Sequence, residues 1–303
     1  MYWRGPRWSS RPEARIAPLF YVKIKEMTEA ESIVILGAGF GGLRTALKLS
    51  KKIRKNKLMA RIILIDENSY HTYTPTLYEA ATTSKEVANN VQLKSIVTFP
   101  ITEILKKRGV EIRQDRVETL NLINGDIHCA SGENLKFDYL VIALGSEPHF
   151  FGIPGLQSNA FTLKSFIDSL KIRDQIWELF AEGRKEIRII IGGGGSPGEE
   201  LAAEIQSWLP ELTREFPDRS TKITIVESNA SVLHGFPERV VSKVFRRLKN
   251  LGIETLVNEM IEQSDKEKIF LKSGRSIPYD ILVWTGGVKA VSLMGTLPLK
   301  IER

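Results

Sequence analysis

Apolar residues fall into short continuous runs, separated by glycine-rich turns and by stretches with helical spacing. Ser32 to Leu36 (SIVIL) is β-branched and apolar without alternation, the pattern of a parallel strand buried on both faces. A glycine-rich turn follows, then a helical stretch over Leu43 to Ser50 and a basic connection over Lys51 to Lys57 that reads as a solvated helix end. A second apolar strand, Arg61 to Ile65 (RIILI), completes one βαβ unit. The order then recurs. Lys164 to Phe180 has helical spacing, Ile187 to Ile191 (IRIII) is a continuous strand, and a second glycine-rich turn and helix lead to the strand Lys222 to Val226 (KITIV).

Between the two units, Val110 to Asp126 alternates and turns at Asn124-Gly125, a hairpin signal. Phe137 to Leu144 (FDYLVIAL) is a further apolar strand, and Pro148 to Pro154 reads as a connection. After the second unit, Val240 to Asn250 is an amphipathic helix stopped by Gly252, and Ile277 to Val283 leads into Trp284-Thr285-Gly286-Gly287. The pattern predicts an α/β chain with two Rossmann-like dinucleotide-binding domains, one inserted into the other. The first is expected over residues 31–152 and again over 281–303, the second over 153–280, with residues 1–30 outside both as a basic tail.

The chain has 303 residues, enough for two domains with separate cores, and no apolar run near the roughly 18 residues of a membrane-spanning helix. Its net charge is +7, but residues 1–26 hold Arg4, Arg7, Arg11, Arg15, Lys23 and Lys25 against Glu13 and Glu26, which leaves only +3 for the rest. That places most of the excess in the tail and argues against a nucleic-acid partner. Met27 is the expected true start, since it comes four residues before the first strand pattern begins. The single cysteine, Cys129, excludes an internal disulfide and any C-x-x-C redox pair, and fits a reducing, cytoplasmic compartment. His71, His128, His149 and His234 are scattered without ligand spacing, so no metal site is expected.

The first turn, Gly37-Ala38-Gly39-Phe40-Gly41-Gly42, fits G-x-G-x-x-G between a strand and a helix. Gly37 allows the tight turn, Gly39 lets the backbone approach a pyrophosphate, and Gly42 lets the helix pack on the strand. The phosphates then meet the free N–H groups of a helix start. Asp66 ends the second strand, 24 residues after Gly42, where an acid can hold ribose hydroxyls. The second turn, Gly193-Gly194-Gly195-Ser196-Pro197-Gly198, sits in the same context, and Glu227 ends the strand that follows. A carboxylate there accepts hydrogen bonds from the adenosine ribose and repels a 2′-phosphate. Ser228 and Asn229 add no cation, so NADH is favoured over NADPH.

Two such cradles in one chain point to a relay in which NADH reduces FAD and FAD passes electrons onward. Glu200, two residues past Gly198, could project toward the stacked nicotinamide and flavin, or could simply complement the helix dipole; its position alone does not separate these roles.

With these motifs in place, the chain resembles the flavoproteins with two dinucleotide-binding domains, and among them most resembles type II NADH dehydrogenase, the non-proton-pumping NADH:quinone oxidoreductase. The likeness runs from about Ile33 to the end. Three stretches carry it beyond the glycine turns: Asp66 to Thr82 (DENSYHTYTPTLYEAAT), Ala143 to Leu156 (ALGSEPHFFGIPGL) and Trp284 to Lys289 (WTGGVK). The resemblance implies FAD held by Gly37, Gly39, Gly41, Gly42 and Asp66, with Ala143, Gly145 and Gly286 at the two crossings between domains and Pro75 near the isoalloxazine. It implies NADH held by Gly193, Gly195, Gly198 and Glu227, and Glu200 as the catalytic glutamate at the nicotinamide–flavin contact. Leu144 stands where a threonine is usual.

The family continues past the point that matches Arg303 with a Gly-Asp segment at the flavin, a quinone-site helix and a C-terminal amphipathic anchor. The chain is therefore expected to be C-terminally truncated. A membrane quinone is the implied acceptor, with peripheral attachment to the cytoplasmic face of the membrane through the further C-terminal region, and the family allows a homodimer. Disulfide and sulfide:quinone reductases of this architecture use cysteines beside the flavin, which a lone Cys129 does not supply. A ferredoxin or rubredoxin reductase-like flavoprotein and a non-catalytic nucleotide-binding sensor are the competing readings.

Overall fold

The fold is described from a computed structural model, covering residues 31–84 and 89–298. The expected tail, residues 1–30, and the residues beyond 298 lie outside the described part.

Two parallel sheets organise the chain. In the first, β1 (Glu31–Leu36) lies between β2 (Ala60–Asp66) and β4 (Tyr139–Ile142), and β3 (Val110–Gln114) flanks β2. The order is β3-β2-β1-β4. In the second, β6 (Glu186–Gly192) lies between β7 (Ser220–Val226) and β9 (Ile281–Trp284), with β5 (Phe161–Thr162) beyond β9 and β8 (Glu254–Leu256) beyond β7. Continuous apolar runs make these strands because each sheet is covered on both faces. Ile35, Leu64, Ile189, Ile191 and Val283 are almost wholly buried.

Helix α1 (Phe40–Asn56) follows the first glycine turn and runs on through most of the basic connection expected after Ser50. The short helix α2 (Leu77–Ala80) precedes α3 (Phe166–Ala181), which starts at a capping box between Ser165 and Asp168. Helix α4 (Ser196–Glu215) follows the second glycine turn, and α5 (Glu238–Asn250) precedes β8. An antiparallel three-stranded meander precedes the last strand of each sheet: Val117–Asn121, Asp126–Cys129 and Asn134–Lys136 in the first unit, and Ile261–Ser264, Lys268–Leu271 and Ser276–Pro278 in the second. The two halves therefore repeat one plan. Cys129 is a buried, free cysteine, and burial pushes its thiol up.

One expected boundary moves. Residue 281 does not open the return to the first domain, because Ile281–Trp284 is a fully buried strand of the second sheet, paired with Ile189–Gly192 and with Phe161–Thr162. The crossings between units are made instead by Ser146–Pro148 and Val288–Ala290, which pair antiparallel.

Asp280, at the start of β9, ties this strand to β6. Its carboxylate accepts from the Arg188 backbone N–H at 2.8 Å and from the Arg188 guanidinium at 2.8 and 2.9 Å. The side chain is 4% exposed, and the Arg188 hydrogen bonds hold its carboxyl below the usual range. A group whose folded value is lowered stabilises the fold above its unfolded value, about pH 4, and stops doing so as the pH falls through the folded one. Asp280→Ala is expected to lose about 3 kcal/mol at neutral pH, since it strands both the backbone donor and the guanidinium. The deficit should shrink in acid unfolding titrations below about pH 4.

Candidate functional site

Each sheet ends in a glycine turn of the same build. Gly37, with φ of +95°, lets β1 turn into α1, and a Cβ there would lie 2.4 Å from the Ala143 carbonyl oxygen. A Cβ on Gly42 would come within 1.8 Å of the Gly37 carbonyl oxygen, so α1 rests directly on the turn. Gly39, the N-cap of α1, has nothing within 4 Å of that position. The second turn repeats this. Gly193 has φ of +108°, a Cβ on Gly198 would lie 2.2 Å from the Gly193 carbonyl oxygen, and Gly195, the N-cap of α4, has only the Pro197 ring at 3.9 Å. In both turns the first and third glycines are closed in by backbone, and the middle one faces open space at a helix start.

The strand-end acids close the same loop in each copy. Asp66 Oδ2 accepts from the Ala38 N–H at 2.6 Å, and Glu227 Oε2 accepts from the Gly194 N–H at 2.7 Å. The other oxygens accept from the next loop: Asp66 Oδ1 from the Asn68 N–H at 2.8 Å, and Glu227 Oε1 from the Asn229 N–H at 2.7 Å and Nδ2 at 2.6 Å. Glu227 is buried.

A cleft of about 820 Å³ opens at the first turn, and Gly37, Gly39, Asp66, Ala143 and Gly145 line it. Leu144, the departure from the family pattern, lines it too. Gly41 and Gly42 belong to α1 and are not among its lining residues; Gly41 is exposed, and Gly42 is the packing contact. The cleft reaches Thr74 in the 3-10 turn Thr74–Thr76; Pro75, in the same turn, is exposed beside it. Gly286 does not sit at this cleft. It belongs to the second turn, where its backbone packs against Gly193 and its own Cβ position against the Trp284 ring.

His71 has a definite place. Its ring is buried, with Nδ1 2.9 Å from the Ala38 carbonyl oxygen and the ring edge-on to Phe40 at 4.8 Å. It meets the first turn at Ala38 and also lines the cleft. The signal for it was its position five residues past Asp66, inside the segment that sequence reasoning placed near the flavin.

Helix α2 packs against both α3 and α4, bringing a residue of the first unit to the start of the second glycine helix. That residue is Tyr78. Burial raises its phenol, and the Glu200, Glu79 and Glu204 carboxylates raise it further. Glu200 is exposed at the start of α4, and desolvation raises its carboxyl. Its neighbour Glu199, which sequence reasoning passed over, points inward. It is 5% exposed, burial with Glu200 and Glu227 raises its carboxyl to about 8, and its Oε1 has no hydrogen-bond partner. Among the described residues no His/Cys/Asp/Glu group could hold a metal ion, and no helix is long and apolar enough to cross a membrane.

The family model for pyridine nucleotide-disulphide oxidoreductases matches residues 31–303. The chain belongs to this family. Among its relatives, the type II NADH:quinone oxidoreductase of Staphylococcus aureus is 29% identical over 284 residues, covering 88% of this chain and 67% of that protein. The protein of the same name from Staphylococcus saprophyticus is 27% identical over 278 residues with the same coverage. NDH2 of Plasmodium falciparum, solved in complex with NADH, superimposes with a TM-score of 0.76 at 25% identity, covering 88% of this chain and 57% of that one. The sulfide:quinone oxidoreductase of Aquifex aeolicus shares the fold, with a TM-score of 0.71 at 20% identity. The chain thus spans between about half and two thirds of the length of these relatives. The family's two-nucleotide architecture accounts for the paired turns, and the expectation of a Rossmann-like α/β fold holds.

Proposed function

We propose that the chain is the nucleotide-handling part of an FAD-dependent NADH:quinone oxidoreductase. The observation that carries this reading is the pair of matching turns, each with an acid at the strand end bonded to the first free N–H and an open middle glycine at a helix start. One such turn binds one dinucleotide. The first, with its cleft, fits FAD, and the second fits NADH. Relatives named as type II NADH:quinone oxidoreductases support the pairing and the quinone acceptor. The lone buried Cys129 supplies no cysteine pair for disulfide chemistry.

Bound FAD supplies a two-electron acceptor for the hydride of NADH. The residues of the chain do the rest. The helix starts of α1 and α4 hold the pyrophosphates, Asp66 and Glu227 hold the ribose hydroxyls, and α2 and α4 set Tyr78 beside Glu200 where the two units meet. Glu200 orients the nicotinamide or carries a proton during quinone reduction, and desolvation raises its carboxyl. A quinone acceptor places the working protein at the surface of a membrane, as a peripheral protein on its cytoplasmic face.

The test is spectroscopic. Protein loaded with FAD should be yellow and bleach on adding NADH without oxygen, then recover colour on adding a soluble quinone. A nucleotide sensor would keep its colour, and a ferredoxin reductase-like protein would bleach and turn over a one-electron iron–sulfur acceptor faster than quinone. Glu200→Gln is expected to slow quinone turnover about a hundredfold with the flavin content unchanged. Steady-state kinetics and flavin absorbance check this together, and unaltered turnover removes Glu200 from the site.

A further inference from the structure

We propose that Glu199 is a positioning residue of the NADH site, an inward-facing acid near Glu200 and Glu227 whose loss of a proton weakens nucleotide binding. The proposal rests on the second turn being the NADH cradle. Glu199 lies in the first turn of α4, one residue past the closely packed Gly198. Its side chain is buried, and Oε1 is shut away from water with no hydrogen-bond partner among the described residues. A buried carboxylate needs a cation or several donors to stay charged. Among the described residues none is seen acting on it. The carboxylates whose charge acts on it are Glu200, next to it on α4, and Glu227, at the end of β7 against which α4 packs. Tyr78 of α2 responds to Glu200 and Glu204 of the same helix.

The positive end of the α4 dipole favours a charged acid in the first turn, but burial and the two like charges outweigh it, since the carboxyl is still raised. Burial first, then Glu200 and Glu227, set the carboxyl near 8 in the free protein. Below that pH the site holds a neutral acid.

NADH brings two phosphate charges to the same helix start. Bound phosphate and ionised Glu199 disfavour each other, and the coupling is reciprocal. Nucleotide binding therefore raises the Glu199 carboxyl further and draws in a proton wherever the free protein has lost it. The dissociation constant should be flat in neutral solution and rise above about pH 8, approaching tenfold per pH unit.

The experiment is calorimetric titration of the FAD-loaded protein with the non-reducing analogue tetrahydro-NADH. It is run at several pH values between about 6 and 9, in buffers of different ionisation enthalpy so that proton uptake is read directly. The wild type should bind more weakly as the pH rises past about 8 and take up close to one proton per nucleotide at the alkaline end. Glu199→Gln should abolish both the slope and the uptake. Glu199→Met, which fills similar buried volume, repeats the comparison where the glutamine variant does not fold. A wild type with a flat profile, or a glutamine variant that keeps the slope, overturns the role of Glu199. Absence of analogue binding at every pH overturns the NADH cradle itself, which keeps the two failures apart.

Discussion

Gly42→Ala is expected to lose its flavin and about 3 kcal/mol of stability, whereas Gly39→Ala loses flavin affinity with its stability intact. The two glycines lie three residues apart in one motif, and the structure gives them opposite reasons for being glycine. A methyl group on Gly42 would overlap the Gly37 carbonyl oxygen at 1.8 Å, so α1 would have to lift off the turn. Backbone on both sides cannot yield as a flexible side chain would. At Gly39 the same methyl meets nothing within 4 Å and occupies only the space kept for a pyrophosphate. Thermal unfolding of flavin-stripped protein should therefore distinguish Gly42→Ala from the parent but leave Gly39→Ala unchanged. Flavin titration should show FAD binding weakened by about a hundredfold in Gly39→Ala. Stripping matters because a bound flavin would add its own stability to the parent. A Gly39→Ala protein that binds FAD as tightly as the parent would show that no phosphate approaches this turn.

The glycine turns and strand-end acids were legible in the sequence because their chemistry is local. A positive φ, a helix start and an acid one strand later are set by neighbours in the chain, and the residue types record them. Glu199 was not legible. Successive helix residues point about 100° apart, so one of two adjacent glutamates can face the sheet while the other faces solvent. Which one does so depends on where β7 and the following loop lie. The place of Tyr78 beside Glu200 escaped for a related reason, since it joins a helix of the first unit to one of the second across more than a hundred residues. The boundary at 281 was misplaced because Ile281–Trp284 reads as an apolar strand whichever sheet it enters; pairing with β6 and β5 decides it. The second meander, from Ile261 to Pro278, carries charged residues on half of its exposed positions and no two-residue turn signal as clear as Asn124-Gly125.

Glu227→Ala is expected to weaken NADH binding by roughly ten- to a hundredfold and to narrow the preference over NADPH by a similar factor. The carboxylate already accepts two backbone N–H groups, from Gly194 and Asn229, and these fix its direction. Its remaining partners are side-chain donors, Asn229 Nδ2 at 2.6 Å and Ser228 Oγ at 3.3 Å. Ribose hydroxyls can replace those two without disturbing the backbone bonds, so the site exchanges local donors for ligand donors. A 2′-phosphate has no proton to offer in their place and meets the carboxylate's charge directly. The alanine variant removes both the acceptor for NADH and the repulsion toward NADPH, so one affinity falls while the other holds or rises. Glu227→Gln separates the two effects: it keeps an acceptor oxygen, so NADH binding should recover in part, while the missing charge leaves NADPH tolerated. Titration of each variant with both nucleotides reads the ratio. If both affinities fall by the same factor in Glu227→Ala, the residue supports the Gly194 turn and does not meet the ribose.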